Sequence, residues 1–247
     1  MNRFPDDHAG INYLHFMSQL SRKRDTKRYL EIGVRYGETF ASVSADIAVG
    51  VDPDFAIKHN VSASKKRVSL LSMTSDAFFS DQDATGLLGG HPDLTFLDMM
   101  HVFEYLLRDF YNAESLSGPR SLIAMHDCLP LNEEMADRDM NISFARGKDS
   151  RHPLAWTGDV WKIIPILQKY RPDLKLVFVD CPPTGLLFVT NLDPRNRILQ
   201  ENYLKIVEEF SSIENTESNI LEMYSSIKVT SSAAVLNEFD HSLYFSI

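Results

Sequence analysis

The stretch KRYLEIGVRYGETF, residues 27–40, decides how the rest of this sequence is interpreted. Residues 29–34 form a short apolar run that predicts a first β-strand, and the run contains an acid, Glu31, and leads into the glycines Gly33 and Gly37. Many nucleotide-binding turns begin in this way. The ligand of such a turn is a dinucleotide, a mononucleotide phosphate, or a molecule that carries no phosphate, and the remaining sequence has to distinguish them.

Four further apolar runs follow, each with the length and composition of a strand that is buried on both faces. They cover residues 47–51, 68–71, 94–97 and 122–125. Helical patterns alternate with these runs, most clearly at residues 101–116, where Phe103, Leu106 and Phe110 fall on one face. The alternation predicts an α/β fold with a doubly wound, Rossmann-like sheet of parallel strands and right-handed crossovers.

The last two strand-like runs, residues 174–179 and 185–189, are separated only by the short sequence DCPPT. A parallel connection needs about a dozen residues, so this pair is predicted to be an antiparallel hairpin. A helix around residues 156–170 precedes the hairpin. The sequence therefore predicts a seven-stranded, mostly parallel sheet with an antiparallel terminal hairpin, whose reversed strand lies at the edge.

The length and composition predict one domain with appendages. A chain of 247 residues with 44% hydrophobic content buries one large core. We expect a ligand-binding α/β domain at residues 28–192, a helical extension at 1–27, and a C-terminal helix and arm at 193–247. A long charged stretch at residues 128–155 is expected to be a lid over the ligand. Residues 214–247 fit an arm, a small subdomain or a contact between copies of the chain, so a homo-oligomer stays open.

Charge and hydropathy exclude several classes of function. The sequence has no apolar leader and no run near the roughly 18 apolar residues of a membrane span, so we expect a soluble, cytoplasmic protein without a membrane partner. The formal net charge of −9 disfavours a nucleic-acid partner, because binding a polyanion needs concentrated Lys and Arg. We therefore expect the partner to be a small molecule.

Polar residues follow the ends of all five predicted parallel strands, where open α/β proteins bind ligands. In strand order they are Glu31 with Gly33, Asp52, Ser75 with Asp76, Asp98, and His126 with Asp127. A helix N-cap is a sufficient explanation for any single one of them. The same feature after every strand predicts a ligand site lined with carboxylates.

The motifs distinguish the three candidate ligands. A dinucleotide turn has the pattern G-x-G-x-x-G, but Arg35 occupies the place of its second glycine. The pattern G-x-x-x-x-G-K-[ST] of phosphate-binding loops does not occur in the sequence, and a rim of acids repels phosphate. The acids suit a cationic ligand rich in hydroxyl and amino groups, which describes S-adenosylmethionine. An NAD-dependent oxidoreductase is the less favoured alternative.

At these residues the chain resembles the class I S-adenosylmethionine-dependent methyltransferases. The resemblance spans residues 28–190 and includes E-x-G-x-x-x-G at residues 31–37, Asp52 and the reversed last strand. The stretches LDMMHVFEYLLRDFYNAESL, LIAMHDCLP and GDVWKIIPIL are similar to bacterial methyltransferase-domain proteins often found beside sugar or secondary-metabolite genes. The resemblance implies Glu31, Gly33 and Gly37 around the methionine part of the cofactor, Asp52 on its ribose, Ser75 and Asp76 near its adenine, and Asp98 under its sulfonium.

Methyl transfer is an in-line displacement, so the protein has to align the acceptor and remove its proton. His126, beside Asp127 after the fifth strand, and His101, after the fourth, are the candidate bases. His101 is explained equally well as a first-turn residue of its helix. Asp98 and Asp127 with one imidazole also have the chemistry to bind Mg or Mn, and such an ion polarises an acceptor hydroxyl.

Trp156 and Asp159 follow the lid-like stretch and are candidate acceptor-binding residues. Core packing for the tryptophan and a helix start for the aspartate are the plainer interpretations. The sequence thus predicts a methyltransferase that moves a methyl group from S-adenosylmethionine to a small-molecule oxygen or nitrogen, with O-methylation favoured. The alternative from another class is a regulatory protein that binds the cofactor or a related nucleoside without turnover.

Overall fold

A computed structural model describes residues 4–5, 7–237 and 241–245 of the chain. Residues 1–3 and 6 of the expected N-terminal extension lie outside the described residues, as do residues 238–240 and 246–247 of the expected C-terminal arm. Within the described part, no helix is both long enough and apolar enough to cross a membrane.

The strands form one sheet of eight members in the order β3-β2-β1-β4-β5-β7-β6-β8. Their bounds are β1 Arg28–Ile32, β2 Ile47–Val51, β3 Arg67–Leu71, β4 Leu94–Leu97, β5 Leu122–His126, β6 Lys175–Val179, β7 Leu186–Thr190 and β8 Val229–Thr230. Strands β1 to β5 pair in parallel, and β7 pairs antiparallel with both β5 and β6. The chain order reverses at β1, because β2 and β3 lie on one side of it and β4 and β5 on the other.

Helices cover both faces of the sheet, which gives each face its own hydrophobic core. The helices are α1 Tyr13–Lys23, α2 Glu38–Ser42, α3 Ser75–Asp81, α4 Ala84–Leu88, α5 Phe103–Ser115, α6 Met140–Gly147, α7 Ile163–Tyr170, α8 Ile198–Glu201, α9 Tyr203–Ser211, α10 Glu217–Ser225 and α11 Ser232–Asn237. Short 3-10 turns occur at Val160–Lys162 and His241–Leu243. Helices α1, α2 and α11 contribute to one core, while α3, α4, α5, α7, α9 and α10 contribute to the other.

The doubly wound, mostly parallel sheet is confirmed, but two details of the prediction are wrong. The described sheet has eight strands rather than seven, because β8 pairs in parallel with β6. The reversed strand β7 is inside the sheet, between β5 and β6, and not at its edge. A two-residue strand has no measurable sequence period, and a short loop fixes only that two strands are antiparallel, not which of them meets β5.

Two predicted helices also begin or divide differently. The helix expected at 156–170 starts with the 3-10 turn at Val160–Lys162 and becomes α-helical only at Ile163. The C-terminal helix expected after residue 193 is divided into α8 and α9 at Asn202, whose backbone has φ −102° and ψ 10°. The Asn202 side-chain amide donates a hydrogen bond to the Ile198 carbonyl at 2.8 Å, which caps α8 instead of continuing it.

Helix α5 carries a buried acid on the face that packs against α3. Asp109 is 1% exposed. Burial raises the pKa of Asp109 to about 7, and the Ser75 hydroxyl opposes this effect only in part. The native protein therefore holds a proton on Asp109 at pH values where an unfolded chain has lost it.

We predict that Asp109→Asn makes the protein more stable relative to wild type as the pH rises. Between pH 4 and 7 the folded wild type binds one proton more than the unfolded chain, so its stability falls as the pH increases, and the variant lacks this loss. Over this pH range, the free energy of unfolding of the variant rises relative to that of wild type by at most about 4 kcal/mol. Urea unfolding at pH 5 and pH 8 measures it, with the exposed Asp149→Asn as control. An equal effect of Asp109→Asn at both pH values would contradict the assignment.

Candidate functional site

The carboxyl ends of β1 and β4 meet in a backbone contact that only glycine permits. Gly33 has φ +94°, and a Cβ built on it would lie 2.1 Å from the Asp98 carbonyl oxygen. The Gly33 amide donates a hydrogen bond to the Val51 carbonyl at the end of β2, at 2.9 Å. The turn after β1 therefore lies directly against the chain that leaves β4.

Asp52, which follows the end of β2, holds the rest of this turn through hydrogen bonds. Its side chain is 6% exposed in the folded protein. One carboxylate oxygen accepts a hydrogen bond from the Arg35 amide at 2.8 Å, and the other accepts one from the Asp54 amide at 2.7 Å. Arg35 has φ 37°, and Gly37, with φ +81°, precedes α2. The glycine turn is thus held in a strained form by a buried carboxylate.

Four predicted site residues come together at the ends of β4 and β5. His101 Nε2 lies 3.6 Å from Asp98 Oδ1 and 3.3 Å from Asp127 Oδ2. His126 Nδ1 lies 3.4 Å from Asp98 Oδ1 and 3.2 Å from Asp127 Oδ2. Each carboxylate therefore faces both imidazoles, and we call these four residues the His-Asp cluster.

The charges of the His-Asp cluster stabilise one another. Burial opposes protonation of His126, yet Asp127 and Asp98 raise the pKa of His126 to about 10. Burial and the same two carboxylates act on His101 in opposite senses, and its pKa is also raised. Burial alone would raise the pKa of Asp98, but His126 and His101 hold it well below its usual range. The two carboxylates therefore favour the protonated forms of both imidazoles in this arrangement.

Residues around the cluster fix the direction of its ligand atoms. His101 Nδ1 donates a hydrogen bond to the Trp156 carbonyl at 2.7 Å, and the Trp156 ring stacks on the imidazole with a centroid distance of 4.5 Å. The Thr184 hydroxyl donates to Asp127 Oδ1 at 2.5 Å, and Asp127 itself has φ 59°. These contacts direct His101 Nε2 and Asp127 Oδ2 towards Asp98.

Three members of the cluster have the geometry of a metal site. One ligand atom each from Asp98, His101 and Asp127 lies within 4.8 Å of the other two. Two carboxylates with one imidazole suit Mg or Mn, and partners outside the cluster orient both His101 and Asp127, as is usual for metal ligands. The residues present therefore fit a divalent ion.

An open cleft of about 260 Å³ connects the glycine turn with the His-Asp cluster. Its lining residues are Tyr13, Glu31, Gly33, Val34, Arg35, Tyr36, Glu38, Thr39, Asp98, His101, His126 and Asp127. Glu31 accepts a hydrogen bond from the Tyr29 hydroxyl at 2.5 Å, and burial raises the pKa of Glu31 well above its usual range.

Four of the lining residues were not predicted from the sequence, because none of them follows directly on a strand: Tyr13, Tyr36, Glu38 and Thr39. No sequence signal identifies Tyr13, which precedes the sheet.

Ser75 and Asp76, the predicted adenine contacts, do not line this cleft. Both belong to the first turn of α3, and Ser75 is buried. The Asp76 carboxylate accepts two hydrogen bonds from Arg108 of α5, at 2.9 and 2.8 Å. Asp76 therefore already has a bidentate cationic partner that joins α3 to α5.

Asp159, a predicted acceptor contact, pairs with other residues of the protein. Its side chain is fully buried, accepts a hydrogen bond from the Phe103 amide at 3.0 Å and so caps the N-terminus of α5. Arg138 and Lys162 pair with its second oxygen at 2.7 and 3.2 Å. Arg138 belongs to the stretch 128–155 and also pairs with Glu104 at 3.1 Å. Asp159 thus anchors this stretch to α5, and we do not include it among the ligand contacts.

Comparison with known proteins shows the fold. No family model matches the chain, and no curated protein matches it. Among solved structures, the cofactor-bound Rv0187 from MTB matches with 16% identity and a TM-score of 0.50, covering 79% of this chain and 85% of that one. The O-methyltransferase TomG from Streptomyces achromogenes, in complex with SAM, matches with 16% identity and a TM-score of 0.47, covering 72% and 78%. The likeness to Rv0187 shows a shared doubly wound fold.

We predict that Gly33→Ala disrupts the site, whereas Gly147→Ala is tolerated. The positive φ at Gly33 alone costs about 1–3 kcal/mol for a residue with a Cβ, and the collision with the Asp98 carbonyl adds to that cost. At Gly147 the nearest atoms to a new Cβ are 3.7 and 3.8 Å away, which is ordinary contact. Urea unfolding and amide spectra of both variants provide the measurement. Equal stability of the two variants would show that the contact between β1 and β4 is not tight.

Proposed function

We propose that this protein is an S-adenosylmethionine-dependent methyltransferase that acts on a small-molecule acceptor, with oxygen favoured over nitrogen. The observation that carries the proposal is the cleft at the carboxyl ends of β1, β4 and β5, which joins a glycine turn to a group of carboxylates. Such an edge binds ligands in open α/β proteins. Among the described residues that line the cleft, Arg35 is the only Lys or Arg, so a phosphate-rich ligand has little to pair with there.

The charges in the cleft support a cationic donor. Asp98 and Asp127 line the cleft, and a sulfonium beside Asp98 would face a carboxylate that stays ionised. Gly33 leaves space for the methionine part, since a side chain there is excluded. Asp52 follows β2 outside the lining of this cleft, and it would accept hydrogen bonds from the ribose hydroxyls, because each of its oxygens has accepted one backbone hydrogen bond and keeps a further lone pair.

For the adenine of the cofactor, we propose contacts different from those that the resemblance implies. An adenine amine near Asp76 would have to compete with the bidentate pair between Asp76 and Arg108. Charge-assisted pairs of this kind are among the stronger hydrogen bonds in proteins. The proposal therefore gives Asp76 the role of holding α3 against α5, and keeps Ser75 at the margin of the site.

The His-Asp cluster is the proposed reaction centre. Asp98, His101 and Asp127 would hold a divalent ion, Mg or Mn, which supplies a Lewis acid for an acceptor hydroxyl. His126 faces the same carboxylates and would take up the proton that the acceptor hydroxyl loses once a divalent ion has neutralised those carboxylates. Trp156 stacks on His101 and covers one face of its imidazole. Oxygen is favoured because an alcohol or phenol needs the charge stabilisation that this cluster offers.

Calorimetric titration with S-adenosylhomocysteine and with NAD tests the donor. We expect the first ligand to bind and the second not to bind. The substitution Asp52→Ala should weaken the binding of S-adenosylhomocysteine by about 1.5–3 kcal/mol, because it removes charge-assisted hydrogen bonds. The control is Asp54→Ala, whose carboxylate is 81% exposed and has only a 3.8 Å contact with Arg35. The proposal would be rejected if the protein bound NAD but not S-adenosylhomocysteine. It would also be rejected if Asp52→Ala and Asp54→Ala bound S-adenosylhomocysteine with equal affinity.

Titration with Mn²⁺, followed by electron paramagnetic resonance, tests the metal. Asp127→Asn should reduce the affinity for Mn²⁺ by at least about tenfold, because the ligand loses its charge. Asp54→Asn, away from the cluster, should leave the affinity unchanged. If Mn²⁺ binds both variants as it binds wild type, the cluster acts through its histidines alone.

A further inference from the structure

Tyr13, the first residue of α1, reaches into the cleft from outside the sheet. Its ring lies on the His126 imidazole with a centroid distance of 4.2 Å and an interplanar angle of 32°. It lines the cleft together with Thr39 and Asp98. The predicted site contains no residue from this part of the chain.

Hydrogen bonds do not fix the His126 ring. Its Nδ1 has only ion-pair contacts of 3.2 and 3.4 Å to Asp127 and Asp98. Neither ring nitrogen makes a well-formed hydrogen bond within the part of the chain that the structure describes. His101 differs, because a 2.7 Å hydrogen bond to the Trp156 carbonyl holds its ring. Besides these ion-pair contacts, the His126 ring packs against the ring of Tyr13 at 4.2 Å and lies 6.0 Å from that of Phe96.

Residues 7–13, which we call the N-terminal strap, hold Tyr13 in place. The Gly10 amide donates to the Asp180 carbonyl at 3.1 Å, and the Ile11 amide donates to the Ser232 hydroxyl at 2.7 Å. A Cβ on Gly10 would lie 2.1 Å from Asp180 Oδ1 and 2.3 Å from Ser232 Oγ. The strap is therefore pressed against the chain that follows β6 and against the start of α11.

The other end of the strap contacts the stretch 128–155. His8 Nε2 donates to the Leu129 carbonyl at 3.0 Å. Asp7 pairs with Arg151 at 3.2 Å and with His152 at 3.3 Å. The strap thus joins the β6–β7 side of the sheet to the expected lid, and Tyr13 lies at its inner end.

We propose that Tyr13 is a positioning residue whose ring sets the plane of the His126 imidazole against Asp98 and Asp127, and that the N-terminal strap keeps it there. The ring also closes one wall of the cleft. The part of this inference that concerns turnover rests on the proposed function. The placement of His126 by Tyr13 does not depend on it.

The direct test is the nuclear magnetic resonance spectrum of the His126 ring protons in the ligand-free protein, assigned with His126→Gln. A stacked ring moves these signals upfield. Tyr13→Leu should move them downfield, Tyr13→Phe should keep them near the wild-type position, and Gly10→Ala should move them in the same direction as Tyr13→Leu. Lys23→Ala, an exposed change on the same helix, is the control.

A double variant separates placement from general destabilisation. If Gly10 acts through Tyr13, Gly10→Ala adds no further shift of the His126 signals in the Tyr13→Leu background. Additive shifts would overturn the role of the strap. Unchanged signals in Tyr13→Leu, or a Tyr13→Phe spectrum like that of Tyr13→Leu, would overturn the role of the ring.

The effect on turnover is measured with any acceptor that the wild-type protein methylates. Tyr13→Leu should reduce kcat by about 100-fold, as misplacement by roughly 1 Å does, and leave the Kd of S-adenosylhomocysteine within about twofold. Tyr13→Phe should restore most of kcat. Equal losses in kcat and in cofactor affinity would contradict positioning. Failure of wild type to bind S-adenosylhomocysteine would reject the proposed function alone, because the His126 signals are measured without ligand.

Discussion

The close contact between Gly33 and the Asp98 backbone is the constraint on which the site depends. Because no Cβ fits between them, the turn after β1 can lie flat against the chain that leaves β4. Asp98 then lines the cleft together with Gly33. Strand β5 on the other side of β4 brings His126 and Asp127 to the same edge. One steric requirement thus aligns a glycine turn, an acid and the His-Asp cluster.

Charge determines what this edge can accept. The His-Asp cluster is nearly balanced internally, because two carboxylates face two imidazoles whose pKa values they raise. Either the imidazoles keep their protons, or a divalent cation takes over the same carboxylates and the protons leave. In both cases the cluster holds positive charge beside an acceptor oxygen, while Glu38 adds a further carboxylate to the cleft. A cationic donor and an uncharged or weakly charged acceptor match this distribution.

The sequence predicted the sheet and its acidic edge because both depend on local patterns. Apolar runs identify buried strands, and the residue after a parallel strand must lie at the common edge, so Asp98, His126 and Asp127 were placed together correctly. Contacts between distant segments carry no such pattern. The pairing of β7 with β5, the ion pair of Asp76 with Arg108, the cap that Asp159 forms on α5 and the position of Tyr13 all depend on tertiary packing. The sequence therefore predicted which residues gather at the ends of β4 and β5, but not the residues that surround them.

A crystal structure of the protein with S-adenosylhomocysteine tests the central claim most directly. We predict that the ligand lies across the carboxyl ends of β1 and β4, with its sulfur beside Gly33 and Asp98 and its ribose on Asp52. Binding only elsewhere, for example in the cavity of about 670 Å³ that Trp161 and Met223 line, would contradict it. So would a complex in which the His-Asp cluster lies away from the sulfur.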